Sequence, residues 1–169
     1  TDPFSNCTSL TSVIIPSSVT SIEGPLFKYC DNLRKIEFHN KIIGFDSYGF
    51  EIFSYLPSLS EIVIGKEVTS IEGVFNSCPS LASITVEEGN PIYDSRNNCN
   101  AIIESSSNKL IKGGVNTIIP NNVTSIGAGA FLGNVGLTSI TLPNSVTSIG
   151  GMAFADCTGL TSITLPNSD

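Results

Sequence analysis

"LTSITLPNSVTSIGGMAFADCTG" occupies residues 137–159, and residues 160–168 begin the same phrase again as "LTSITLPNS". Leu137 and Leu160 therefore stand 23 residues apart in equivalent positions. A phrase repeated at that spacing describes architecture, because a unit of two dozen residues cannot bury its own apolar face and must stack on a neighbour. Working outward, the phrase recurs at Leu10 as LTSVIIPSSVTSI and in looser copies at Leu33 (LRKIEF), Leu59 (LSEIVI) and Leu81 (LASITV). The intervals are 23, 26 and 22 residues, followed by one of 56 before Leu137.

Within a copy, L-x-x-I-x-L alternates apolar and polar positions, the signature of a short strand with one face buried. Stacked copies predict a parallel sheet. Pro16, Pro143 and Pro166 follow that strand, where a missing N–H ends the ladder. The β-branched V-T-S-I segments (19–22, 68–71, 123–126 and 146–149) predict a second, opposite wall of short strands. Phe4, Phe27, Phe53, Phe75, Phe131 and Phe154 each lie three residues before a Cys or its substitute and six before the next Leu, which predicts one apolar face of a short helical turn. The expected fold is a mainly β leucine-rich repeat solenoid with stacked parallel strands and short helical turns, spanning 1–169 as one unit cut from a longer array.

Irregularities fall where loops absorb them. FDSYGFEIF (45–53) adds three residues to the copy from Leu33, and the copy from Leu59 is one residue short before Phe75. In the 56-residue interval, AIIE (101–104) and KLIK (109–112) flank the polar turn SSSN (105–108), predicting a hairpin insertion at about 90–116. The interval reads as one period plus about a period and a half of insertion, returning to phrase at Pro120.

Composition narrows the function classes. With 40% hydrophobic residues the chain is a folded domain, and charged residues make up only 14%, so its surface is polar but largely neutral. A formal charge of −7 has the wrong sign for gripping nucleic acid or an anionic membrane. No apolar run approaches the roughly 18 residues of a membrane span, and the opening TDPFSNCTSL lacks the regions of a signal peptide.

Chemistry-bearing residues mostly read as structural. Cys7, Cys30, Cys78 and Cys157 share one repeat position, filled by Leu56 and Asn134 in two other copies. A position that accepts Leu is packed, which favours buried free thiols, although Cys7 and Cys30 on adjacent rungs are close enough in principle to pair. Cys99 lies in the insertion without a register partner, and no C-x-x-C or Cys/His cluster suggests zinc. His39 has no nucleophile elbow with which to act, so it reads as a loop side chain and no catalytic residue is expected. DSRNNCN (94–100) fails as a calcium loop because Arg96 stands at a ligand position and the sharp-turn Gly is missing; Asx turns entering the hairpin fit better. No metal or cofactor is expected. Gly127, Gly129, Gly150 and Gly151 lack the G-x-G-x-x-G pattern and read as turn residues.

The exposed strand positions remain. Thr11, Ser12 and Ile14, then Ala82, Ser83 and Thr85, Thr138, Ser139 and Thr141, and Thr161, Ser162 and Thr164 are mostly small and neutral. The copies from Leu33 and Leu59 instead present Arg34, Lys35, Glu37, Ser60, Glu61 and Val63, the one place where charge clusters on this face. Arg34, Lys35, Glu37, Ser60 and Glu61 are the candidate ligand-binding residues; the alternative is a solvated face whose charges serve solubility.

LTSITLPNSVTSIGGMAFADCTG and NPIYDSRNNCNAIIE (90–104) together closely resemble the BspA-like branch of leucine-rich repeat proteins, over nearly the whole chain. The resemblance implies a secreted or cell-surface, adhesin-like scaffold rather than an enzyme. It implies partners among host matrix proteins, glycans or other bacterial surface proteins. A purely structural spacer or stalk is the rival expectation. Neither terminus carries a polar cap, so end-to-end self-association is also expected.

Overall fold

In a computed structural model of the chain, the described residues are 3–20, 22, 25–43, 56–71 and 78–166. The repeat phrase becomes a four-stranded, wholly parallel sheet of β1 (Ser12–Ile15), β2 (Lys35–Phe38), β4 (Glu61–Ile64) and β6 (Ser83–Val86), in that spatial order. Its register is the repeat's own: Val13, Ile36, Ile62 and Ile84 align, as do Ile15, Phe38, Ile64 and Val86. Two further copies form the parallel pair β11 (Ser139–Thr141) and β13 (Ser162–Thr164). Period-2 alternation places Ile36, Phe38, Ile62 and Ile64 inward with no exposed surface.

The repeat copies contribute two-residue strands to the opposite wall. β3 (Ile42–Ile43) pairs with β5 (Ser70–Ile71), and β10 (Ser125–Ile126) pairs with β12 (Ser148–Ile149). Three of the four expected V-T-S-I segments thus contribute a strand; in 19–22 none is described, and Ser21 lies outside the described residues. β3, which carries no V-T-S-I phrase, escaped the sequence reading.

The hairpin forms as expected. β8 (Ala101–Glu104) runs antiparallel to β9 (Lys109–Gly113) around the turn at 105–108, with β7 (Tyr93–Asp94) on the far side of β8. It does not project from the solenoid. β9 pairs in parallel with β10, so the insertion is built into the second wall, where β12, β10, β9, β8 and β7 form one five-stranded sheet. Stacking of the first wall resumes earlier than Pro120, because the Val115 N–H donates to Leu81 O at 2.8 Å. Gly114 takes the place of the leading Leu, which no search for leucines would find.

The short helical turns take the form of single hydrogen-bonded turns. The amide three residues on bonds back to the carbonyls of Phe4, Phe27, Phe131 and Phe154, at 3.0–3.4 Å. Two residues after each Phe the backbone is left-handed, at Asn6, Tyr29, Gly133 and Asp156, which closes the turn before it can propagate as a helix. Phe4 stacks on Phe27 with centroids 5.5 Å apart, and Phe131 on Phe154 at 5.0 Å. Phe53, Phe75 and the 45–53 extension lie outside the described residues. The only helix described is a single 3-10 turn, Arg96–Asn98.

Two apolar clusters make the core, one centred on β1, β2, β4 and β6 and the other on the hairpin and the C-terminal copies. The cysteine position ties rungs together: Cys30 Sγ–H donates to Phe4 O, and Cys157 Sγ–H to Phe131 O, both at 3.0 Å. Asn134 does the same through Nδ2 to Gly113 O at 3.0 Å, which explains why Asn can replace Cys there. All five thiols are free, and burial pushes the Cys30, Cys99 and Cys157 thiols up. Cys7 departs from the buried-thiol expectation. It is exposed because no described rung packs on its outer side.

Candidate functional site

The exposed face of the four-stranded sheet carries its side chains in rows that run across the rungs. One row is Ser12, Lys35, Glu61, Ser83 and the next is Ile14, Glu37, Val63, Thr85. The candidate charges therefore lie on neighbouring strands about 4.8 Å apart, close enough to bond directly. Lys35 Nζ sits 3.0 Å from Glu37 Oε1 and 3.0 Å from Glu61 Oε1, bridging the two carboxylates. Donating to Glu37 and then to Glu61 raises the Lys35 pKa, and the bond accepted from Lys35 holds the Glu37 carboxyl below its usual range. Ser60 Oγ donates to the Arg34 carbonyl at 3.3 Å, so Ser60 serves the ladder between strands. Arg34 is exposed, and among the described residues its guanidinium forms no ion pair. Of the five candidates, the structure joins Lys35, Glu37 and Glu61 in one network and leaves Arg34 as an uncommitted positive group at its edge.

One step further along the strands lies a row that sequence reading missed. The position just after the strand is Pro16 in β1's copy and Pro143 and Pro166 in the C-terminal copies, but His39, Gly65 and Glu87 in the copies of β2, β4 and β6. The ladder extends through it, with His39 N–H donating to Ile15 O, Gly65 N–H to Phe38 O and Glu87 N–H to Ile64 O. Because Gly65 carries no side chain, the His39 ring lies over it. A Cβ built there would stand 2.5 Å from Nδ1. Nδ1 thereby comes within 3.9 Å of Glu87 Oε2 across two rungs, while Nε2 faces Glu37 Oε2 at 3.7 Å. His39 is thus part of a charged cluster rather than a simple loop side chain.

The stretch weighed as a calcium loop is a structural lock. Arg96 holds Asp94 through both carboxylate oxygens at 2.6 and 2.5 Å and reaches Asn108 Oδ1 at 2.8 Å, while Ser105 Oγ donates to Asp94 at 2.6 Å. Burial opposes the Asp94 carboxylate, but these hydrogen bonds outweigh it and keep its pKa low. The Arg96 N–H donates to Asp94 Oδ1 at 3.1 Å as an Asx turn, and Asn97, Asn98, Asn100 and Asn108 are all left-handed. With Asp94 fully engaged, the segment fastens the hairpin to β7.

The first wall opens at the insertion. Among the described residues no strand pairing joins 114–119 to β11, and a cleft of about 390 Å³ lies between them, lined by Thr117, Ile118, Ser139 and Thr141 among others. Thr117 stands where other copies carry Ile, its Oγ1 accepting from Gly114 N–H at 2.8 Å and donating to Asn100 O at 2.6 Å. Lys112 is buried in β9 with no hydrogen-bond partner for Nζ, and burial brings its pKa down to about 8.

The BspA type leucine rich repeat region matches residues 1–101 and 107–169 in six copies. The chain belongs to that family. No curated protein sequence matches it significantly. Among solved structures this BspA-type chain is similar to a leucine rich cell surface protein from Faecalibacterium prausnitzii, at 28% identity and TM-score 0.62 over 98% of this chain and 44% of that one. It shares its fold with the pneumococcal vaccine antigen PcpA, at 24% identity and TM-score 0.72 over 95% of this chain and 40% of the other. The chain spans less than half the length of either. BspA-type repeats are repeat scaffolds.

Proposed function

We propose that this chain is a bacterial cell-surface recognition module that binds a host matrix protein, a glycan or another bacterial surface protein through the exposed face of β2 and β4. The single observation that carries this reading is the Arg34, Lys35, Glu37 and Glu61 group, a cluster of charge on strand positions that the other described copies fill with uncharged residues. Exposed positions on a rigid repeat wall are where such scaffolds gain specificity without altering their core. The family and the cell-surface protein it resembles support the location. No catalysis is assigned. The test is binding of the chain to an array of matrix proteins and glycans: the reading expects at least one saturable partner, competed by salt, and no partner at about 100 μM would sink it.

The neutral, near-identical faces of β11 and β13 favour a second reading, a spacer that holds other domains apart. That role predicts an empty array and unaltered stability in every face variant. End-to-end self-association is proposed for both readings. An apolar hollow of about 440 Å³ lies beside β1, lined by Phe4, Ile14, Val19 and Leu26 among others, and β13 leaves Ile163 and Leu165 exposed at the other end. Light scattering that shows only monomer across a hundredfold concentration range would reject it.

A further inference from the structure

We propose that His39, Glu67 and Glu87 form a binding site for a divalent transition-metal ion of the zinc class. One ring nitrogen and one oxygen from each carboxylate lie within 4.8 Å of one another. Tetrahedral zinc needs its ligand atoms about 3.4 Å apart, at bond lengths near 2.1 Å. The 3.9 Å between His39 Nδ1 and Glu87 Oε2 is already near that value, and the partly exposed Glu67 closes the rest by side-chain rotation.

Three features make this more than a chance meeting of charges. The three ligands come from successive copies, and His39 and Glu87 replace the strand-ending Pro of the regular ones, with Gly65 between them leaving room for the ring. The turn that carries Glu67 is pinned from the next rung, where Lys66 N–H donates to Glu87 Oε2 at 3.1 Å and Asn90 Nδ2 donates to Gly65 O and Val68 O, both at 2.9 Å. Glu37 faces the other ring nitrogen, Nε2, and is itself held by Lys35. At 3.7 Å, Glu37 stands where the carboxylate of a carboxylate–histidine–metal relay sits, and a small ring rotation would close the hydrogen bond that fixes the tautomer. An imidazole with two carboxylates selects zinc, nickel or copper over calcium and magnesium, which take all-oxygen shells. Water completes the shell. The site escapes sequence reading because residues 39, 67 and 87 meet only when rungs stack. It does not depend on the recognition role, since it is measured without any partner.

The test is calorimetric titration of the Cys7→Ser chain, which lacks the exposed thiol, with zinc chloride and with calcium chloride. The expected result is one zinc per chain, no calcium heat, and at least about tenfold weaker zinc binding in His39→Ala and in Glu87→Gln. Glu37→Gln, a positioning change, weakens it about tenfold while leaving the stoichiometry at one. All four positions are partly exposed, and unchanged thermal midpoints of the metal-free variants separate loss of ligand from loss of fold. Absence of stoichiometric zinc binding, or wild-type binding retained by His39→Ala or Glu87→Gln, overturns the proposal.

Discussion

The copies around β2, β4 and β6 and the copies around β11 and β13 use the same backbone and differ in what they do with it. In the C-terminal pair the sequence is nearly identical from copy to copy, and the exposed face is Thr and Ser throughout. In the N-terminal group the inward positions are kept while the outward ones diverge, to Lys35, Glu37, Glu61, His39 and Glu87. Stacking constrains only side chains that meet the next rung's core, so a copy can lose its consensus outside and keep its place in the pile. Charge therefore collects on the copies that depart most from the repeat.

Five changes probe that contrast, each read by thermal or denaturant unfolding. The largest effect is expected at Phe131→Ala. The ring is fully buried between rungs and fills the space left by the missing side chain of Gly113, so its removal costs about 3–5 kcal/mol. Phe4→Ala, at the half-exposed end of its stack, costs less than half as much. Equal losses would mean that the rings do not act through stacking.

Next is Lys112→Met. Its folded pKa, about 8, lies below the ordinary lysine value of 10.5, so the unfolded chain binds more protons between those limits and stability rises with pH across that window. Wild type should gain about 3 kcal/mol from pH 8 to 10.5 relative to the variant, and the variant should be the more stable at pH 7. The difference between the two curves reports the lysine together with its coupling to the neighbouring Cys78 and Cys157 thiols. Parallel curves would place the amine in water.

Asn134→Cys restores the regular copy's thiol and removes Oδ1, which is buried without a hydrogen-bond partner, while keeping a donor to Gly113 O. It should gain about 1 kcal/mol; a loss would show that the amide is preferred at this rung. The smallest change is Met152→Gly, at an exposed residue with φ 58° whose counterpart one copy earlier is Gly129. Relief of the left-handed backbone should add about 0.5–1 kcal/mol.

The walls, the register and the hairpin were legible in the sequence because period, alternation and the SSSN turn are local signals. The rung at Gly114 was not, since Gly and Thr117 stand where the phrase has Leu and Ile, and Thr117 keeps its place through two hydrogen bonds instead of packing. Lys112 escaped for the opposite reason: KLIK reads as an alternating strand with exposed ends, yet Ile111 packs on one apolar cluster and Leu110 lies in the other, so both faces of β9 are covered. Of the charged face, the residues could be named from strand alternation. The Lys35 bridge and the meeting of His39 with Glu87 over Gly65 could not, because they depend on which copies align across gaps of 26 and 22 residues.

The central claim, that recognition belongs to the divergent copies and not to the regular ones, is tested by comparing two fourfold variants against the same partner in a surface-plasmon-resonance titration. One replaces Arg34, Lys35, Glu37 and Glu61 with Ala, and the other replaces Thr138, Ser139, Thr161 and Ser162. The account predicts a loss of about tenfold or more in affinity for the first and a change within about twofold for the second. Equal losses, or a larger loss for the second, would contradict it.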